Sequence, residues 1–181
     1  MFKVQFSVRL MCQIALLIAL TIILNRFLSI ETPIVRIGFA FAPIVIAACA
    51  FGPVWAAATY VVADLLGALI KAQTPIPGLT LSYALMGFIF GLFLYGRAGF
   101  KPSSVKSWLR VVIPVAINQV VLSLLVNSFW LAAAGYYSGY LATVGVRVAQ
   151  TAILIPVQAA VTPLLLRVVA ILEKQRFIAR A

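Results

Sequence analysis

IGFAFAPIVIAACAFGPVWAAATYVVADLLGALI, residues 37–70, is apolar throughout except for Asp64. A straight helix of that length would run about 50 Å, against a hydrocarbon core of about 30 Å. Gly52-Pro53 interrupts it near the middle, joining a residue free to leave helical geometry to one that cannot donate a backbone hydrogen bond. The stretch is therefore read as two short membrane spans, 37–52 and 54–71. Outward from it, further apolar runs place spans at about 8–29, 79–95, 109–133 and 144–172. The expected fold is an all-α membrane protein: a six-transmembrane-helix bundle forming a single integral membrane domain over residues 1–181.

Composition leads the same way. The chain is 65% hydrophobic and 9% charged, whereas about a quarter of a soluble domain is charged. Its mean hydropathy is +1.16. Lys3 and Arg9 give a basic start, but the following run lasts about 20 residues and lacks a small-x-small cleavage site, so it is read as the first span and not as a signal peptide. The net charge of +11 does not imply nucleic acid, because most basic residues sit in short segments flanking apolar runs. Cys12 and Cys49 lie within spans, lack metal-site spacing and are read as small apolar fillers.

The basic residues decide the number of spans. With six, one side of the membrane receives Lys3, Arg9, Arg97, Lys101, Lys106, Arg110, Arg167, Lys174, Arg176 and Arg180, and the other keeps Arg26, Arg36, Lys71 and Arg147. Ten against four satisfies the positive-inside rule with both termini cytoplasmic. Five spans would export the basic loop 96–107. Lys71 and Arg147, taken singly, read as side chains snorkelling from helix ends. Arg26 and Arg36 bracket one short outer loop, and charge held together in an unfavourable place is a functional lead. It points to capture of an anionic small molecule from outside.

Polar residues inside spans supply the rest of the candidate site. Gln119, Ser123, Asn127 and Trp130 are spaced four, four and three, which puts them on one helical face. That face is either packing glue between helices or a ligand lining, with Asn127 and Trp130 nearest the outer end. Arg147, Gln150, Thr151 and Gln158 form a second stripe, whose outer members Arg147 and Gln150 lie where they can meet Asn127 and Trp130. Asp64 is read as neutralising a cation, with acceptance of hydrogen bonds from a donor-rich heterocycle as the alternative. Residues 73–80, with two prolines and Gly78, are read as a rigid loop over the site.

Several activities find no support. The sequence has no phosphate-binding Gly-x-x-x-x-Gly-Lys-Ser/Thr loop, no cluster suited to a catalytic metal, and no histidine for acid–base work. No catalytic residue, metal site or cofactor is assigned. A polar pocket in a membrane bundle without an energy source implies a binding subunit that needs partners.

Segments LNRFLSI (24–30), RIGFAFAPI (36–44), FGP (51–53), DLLGA (64–68), PGLTLS (77–82) and NSFW (127–130) carry a family likeness. The chain resembles the substrate-binding S components of energy-coupling factor (ECF) vitamin transporters, most closely their folate family. The likeness covers most of the chain and is strongest over residues 15–95. It implies a six-helix fold with cytoplasmic termini and an outer pocket closed by the loops after spans one, three and five. It also implies a complex with a transmembrane coupling protein and two cytoplasmic ATPases. The family docks on its coupling protein through Ala-x-x-x-Ala in the first span, matched here by Ala15 and Ala19. One departure is Leu79, where folate-family members commonly carry Phe in Pro-Gly-Phe-Thr.

The expected protein is thus a multi-pass bacterial cell-membrane subunit capturing folate or a related anionic vitamin, with no nucleic-acid partner. Arg26 and Arg36 are expected to engage ligand carboxylates, Trp130 and Tyr137 a ring, and Asn127, Arg147 and Gln150 its polar groups. The alternatives are another vitamin such as pantothenate, or a structural membrane protein without a small ligand.

Overall fold

The computed structural model describes residues 7–26, 29–31, 36–70, 72, 74–96, 100, 102–135 and 139–175. Among them, six helical rods follow in order. The first four are α1 (Val8–Arg26), α2 (Phe41–Phe51), α3 (Pro53–Ile70) and α4 (Pro77–Leu94). A continuous 29-residue rod comes next. It consists of α5 (Val105–Ala116), a π-helical segment (Ile117–Val126) and α6 (Asn127–Ala133). The last is α7 (Tyr140–Lys174). A two-residue antiparallel ladder, β1 (Ile30–Glu31) with β2 (Arg36–Ile37), joins α1 to α2.

Five of these rods are long and apolar enough to cross a bilayer. The expected span at 37–52 is shorter than the sequence suggests. Residues 36–37 pair in the ladder and helix begins only at Phe41, so α2 covers about 16 Å. It is apolar on every side, and nine of its 11 residues are buried. A helix with no polar face belongs inside a bundle, and α2 indeed packs on α1, α3, α4 and α7. The break at Gly52-Pro53 is real: Gly52 has φ +93°, with the Tyr95 ring against it. Residues 77–80 are the first turn of α4 and not a loop, because Pro77 takes the N1 position, where its missing N–H costs nothing. The fifth and sixth spans also begin four residues earlier than expected, at Val105 and Tyr140.

Lipid gives helices little hydrophobic reason to associate, so close backbone approach matters. On α4, Gly87 lies against the Ala56–Ala57 backbone and Gly91 against Pro53; a Cβ at either would meet α3 backbone within 3 Å. This i, i+4 glycine pair locks α3 to α4.

The two ends of the bundle differ. Leu10, Ile14, Phe90, Leu94, Val111, Val115, Leu166 and Val169 form one apolar cluster, at the end where α1 begins and α7 ends. Nearer the opposite, far end the buried residues turn polar, among them Ser123, Asn127, Ser128, Thr143 and Thr151.

Candidate substrate-binding site

The far-end polar residues come mainly from two neighbouring rods. Pro114 supplies no N–H to the preceding turn, and three residues later the rod widens into the π segment, where Asn127 N–H reaches back five residues to Leu122 O. Buried positions then fall in adjacent pairs: 118 and 119, 122 and 123, 127 and 128. The first two pairs are four residues apart, as on an ordinary helical face, but the third follows after five, the step of a π turn; an α-helix would have put it at 126 and 127. π-helical turns are rare and concentrate at functional sites. Asn118 faces α4, its Nδ2 donating to Met86 O at 3.2 Å. Ser123 faces α7, accepting from Arg147 Nη2 at 3.1 Å.

That guanidinium–hydroxyl bond sets the alignment of the two antiparallel rods. One turn toward the far end come Asn127 and Thr143, and one turn the other way Gln119 and Thr151. Asn127 is 2% exposed, and neither its Oδ1 nor the Ser128 hydroxyl has a partner among the described residues. Thr143 returns its hydroxyl to Gly139 O at 2.9 Å. Arg147 is therefore a cation held within a buried polar seam, and not one that only snorkels to the surface. Gln150 is half-buried and stands beside the seam, whose buried α7 members are Thr143 and Thr151.

Aromatic and acidic groups line up at the same end. Trp130 lies on the first turn of α4: a Cβ on Gly78 would fall on its Cδ2 and Cε2. Phe129 packs edge-on to it, 5.5 Å between centroids. On the opposite flank of α4, Thr80 donates to Asp64 Oδ2 at 2.9 Å, and Tyr60 and Tyr83 stack at 4.9 Å. Asp64 thus ties α3 to α4 through the Thr80 hydroxyl.

The remaining expected residues are placed less completely. Arg26 is the last residue of α1, and Arg36 is the ladder partner of Glu31, on a strand that packs against α7. The backbone therefore sets Arg36 on the flank of the rod carrying Arg147. Tyr137 lies outside the described residues. Ala15 and Ala19 face outward, on the side of α1 opposite its buried Leu10, Ile14, Leu17 and Thr21. Sequence reasoning noticed Gln119, Ser123 and Thr151 by their spacing but did not place them in the site. The π segment and the Trp130–Gly78 contact left no recognisable signal.

The family description "ECF transporter, substrate-specific component" matches residues 9–166. The chain belongs to this family. It is the substrate-binding S component of an ECF transporter and a multi-pass membrane protein. Among its relatives, "Folate transporter FolT" of Clostridium novyi (strain NT) is 40% identical over 126 residues, 69% of each chain. "Folate transporter FolT" of Leuconostoc mesenteroides is 28% identical over 158 residues, 84% of this S component and 82% of the relative. The solved "Crystal structure of FolT bound with folic acid" superposes with a TM-score of 0.73 at 30% identity, covering 86% of this chain and 91% of the other.

Proposed function

We propose that this S component captures folate at its far end for uptake driven by partner subunits. The observation that carries the reading is the buried seam around Arg147 and Ser123, in a chain that superposes on FolT bound with folic acid. Arg26 and Arg36 engage the ligand's carboxylates by charge-assisted hydrogen bonds. Trp130 and Tyr137 contact its rings, and Asn127, Arg147 and Gln150 its polar groups.

The chain is one integral domain of the bacterial cell membrane, with both termini cytoplasmic; the ten-to-four division of basic residues supports that orientation. Its role is binding, not catalysis. Ala15 and Ala19 present the surface on which a transmembrane coupling protein docks, and two cytoplasmic ATPases supply energy to the complex. The outward position of both alanines supports this role. Transport follows when the loaded S component tips in the bilayer, a motion helped by the scarcity of charge in its spans.

The test is titration of the purified protein with folate, pantothenate and thiamine, followed by tryptophan fluorescence and calorimetry. Tight folate binding is expected. Preference for another vitamin replaces the ligand, and binding of none removes the capture role.

A further inference from the structure

Gln119 and Thr151 sit one turn inward of the Arg147–Ser123 bond, on facing rods. Gln119 is 6% exposed and Thr151 5%, yet Gln119 Oε1 and Thr151 Oγ1 have no hydrogen-bond partner among the described residues. Thr21, Thr59 and Thr143 each return the hydroxyl to the carbonyl four residues back. Thr151 does not, so its hydroxyl remains available. A buried amide oxygen without a partner is costly, and more so in a membrane bundle.

We infer that Gln119 and Thr151 form the inner end of the ligand pocket, with Gln119 Oε1 accepting a hydrogen bond from an exocyclic amino group on the ligand's heterocycle. The inference rests on the folate reading, in which that group is the 2-amino group of the pterin ring. Chemistry orders the ligand along the seam. A carboxylate suits the arginine-bearing loop at the far end, whereas the Gln119 amide oxygen and the Thr151 hydroxyl, both able to accept, suit N–H donors. Thr151, able to donate or accept, completes the edge contact. Polar pairing of this kind discriminates strongly, because an analogue lacking the donor leaves the amide oxygen unpaired.

The experiment compares folate with its 2-desamino-2-methyl analogue on the wild type, Gln119→Met and Thr151→Val. The wild type should bind folate at least tenfold more tightly than the analogue. Gln119→Met should weaken folate about tenfold while leaving the analogue unchanged, and Thr151→Val should narrow the same gap. Equal wild-type affinities for the two ligands overturn the inference without any variant having to fold. So does a Gln119→Met loss shared equally by both ligands, or no loss at all, the result expected if these oxygens only hold water. Absence of folate binding to the wild type overturns the folate reading and this inference together; the other failures leave the folate reading standing.

Discussion

Trp130 lies on Gly78, with its indole occupying the space that a side chain at residue 78 would need. The contact joins the end of the rod Val105–Ala133 to the first turn of α4 and fixes the ring at the far end of the polar seam. Gly78 is helical, so the constraint is one of space and not of backbone conformation. Gly78→Ala should displace the ring or strain the turn, costing about 1–3 kcal/mol. A lowered Tm and weakened ligand binding are expected. Adding Trp130→Leu should restore Tm but not binding. Unchanged Tm and affinity in Gly78→Ala would show that the ring moves freely and has no fixed role.

Arg147 should matter more than the hydroxyl it bonds. Removing a hydrogen bond that involves a charged group costs about 1.5–3 kcal/mol. In Arg147→Met, ligand affinity should fall roughly 10- to 150-fold by the same range. In Ser123→Ala, Arg147 keeps its charge and its other contacts, so a loss of less than about tenfold is expected, near the value of one neutral hydrogen bond. Calorimetric titration of both variants checks the order; a larger effect from Ser123→Ala would place the ligand on the hydroxyl.

Arg26 and Arg36 are assigned to the carboxylate end, so their effect should depend on that end. Wild-type protein should bind folate more tightly than pteroate, which lacks the glutamate, and the advantage should shrink as salt rises. The double variant Arg26→Ala, Arg36→Ala should bind the two ligands alike. A preserved preference for folate in that variant would move the carboxylates to other residues.

Ala15→Trp and Ala19→Trp should abolish co-purification with the coupling protein and leave folate affinity within about twofold. Both positions face away from the bundle, so large side chains there should clash with a partner helix and not with the fold. Retained co-purification would send the docking surface elsewhere on the molecule.

The helical architecture and the position of its main break were legible because membrane constraints act locally. A run long enough to cross lipid is visible in composition, and Gly52-Pro53 breaks a helix by its own backbone chemistry. The inner polar faces were legible too: spacing alone put Gln119, Ser123 and Asn127 together, and Arg147 near Thr151. Span 37–52 was less accurate, because the pairing of residues 36–37 with 30–31, which delays helix α2, depends on a contact across a loop. Residues 77–80 were misread because Pro and Gly mark a turn or a helix start equally well, and only the fold shows the second, with Pro77 opening α4.

By itself, the sequence determined a bundle of membrane helices and which residues are too polar to face lipid. These follow from the transfer of side chains and backbone between water and hydrocarbon, a property each segment carries alone. The tertiary structure decided which polar residues share a site. Arg147 meets Ser123, 24 residues away in sequence, because two rods pack in one register, and Gln119 and Thr151 keep oxygens without a partner among the described residues. Such pairings depend on helix rotation and alignment between distant segments, quantities set by the packing of the whole bundle.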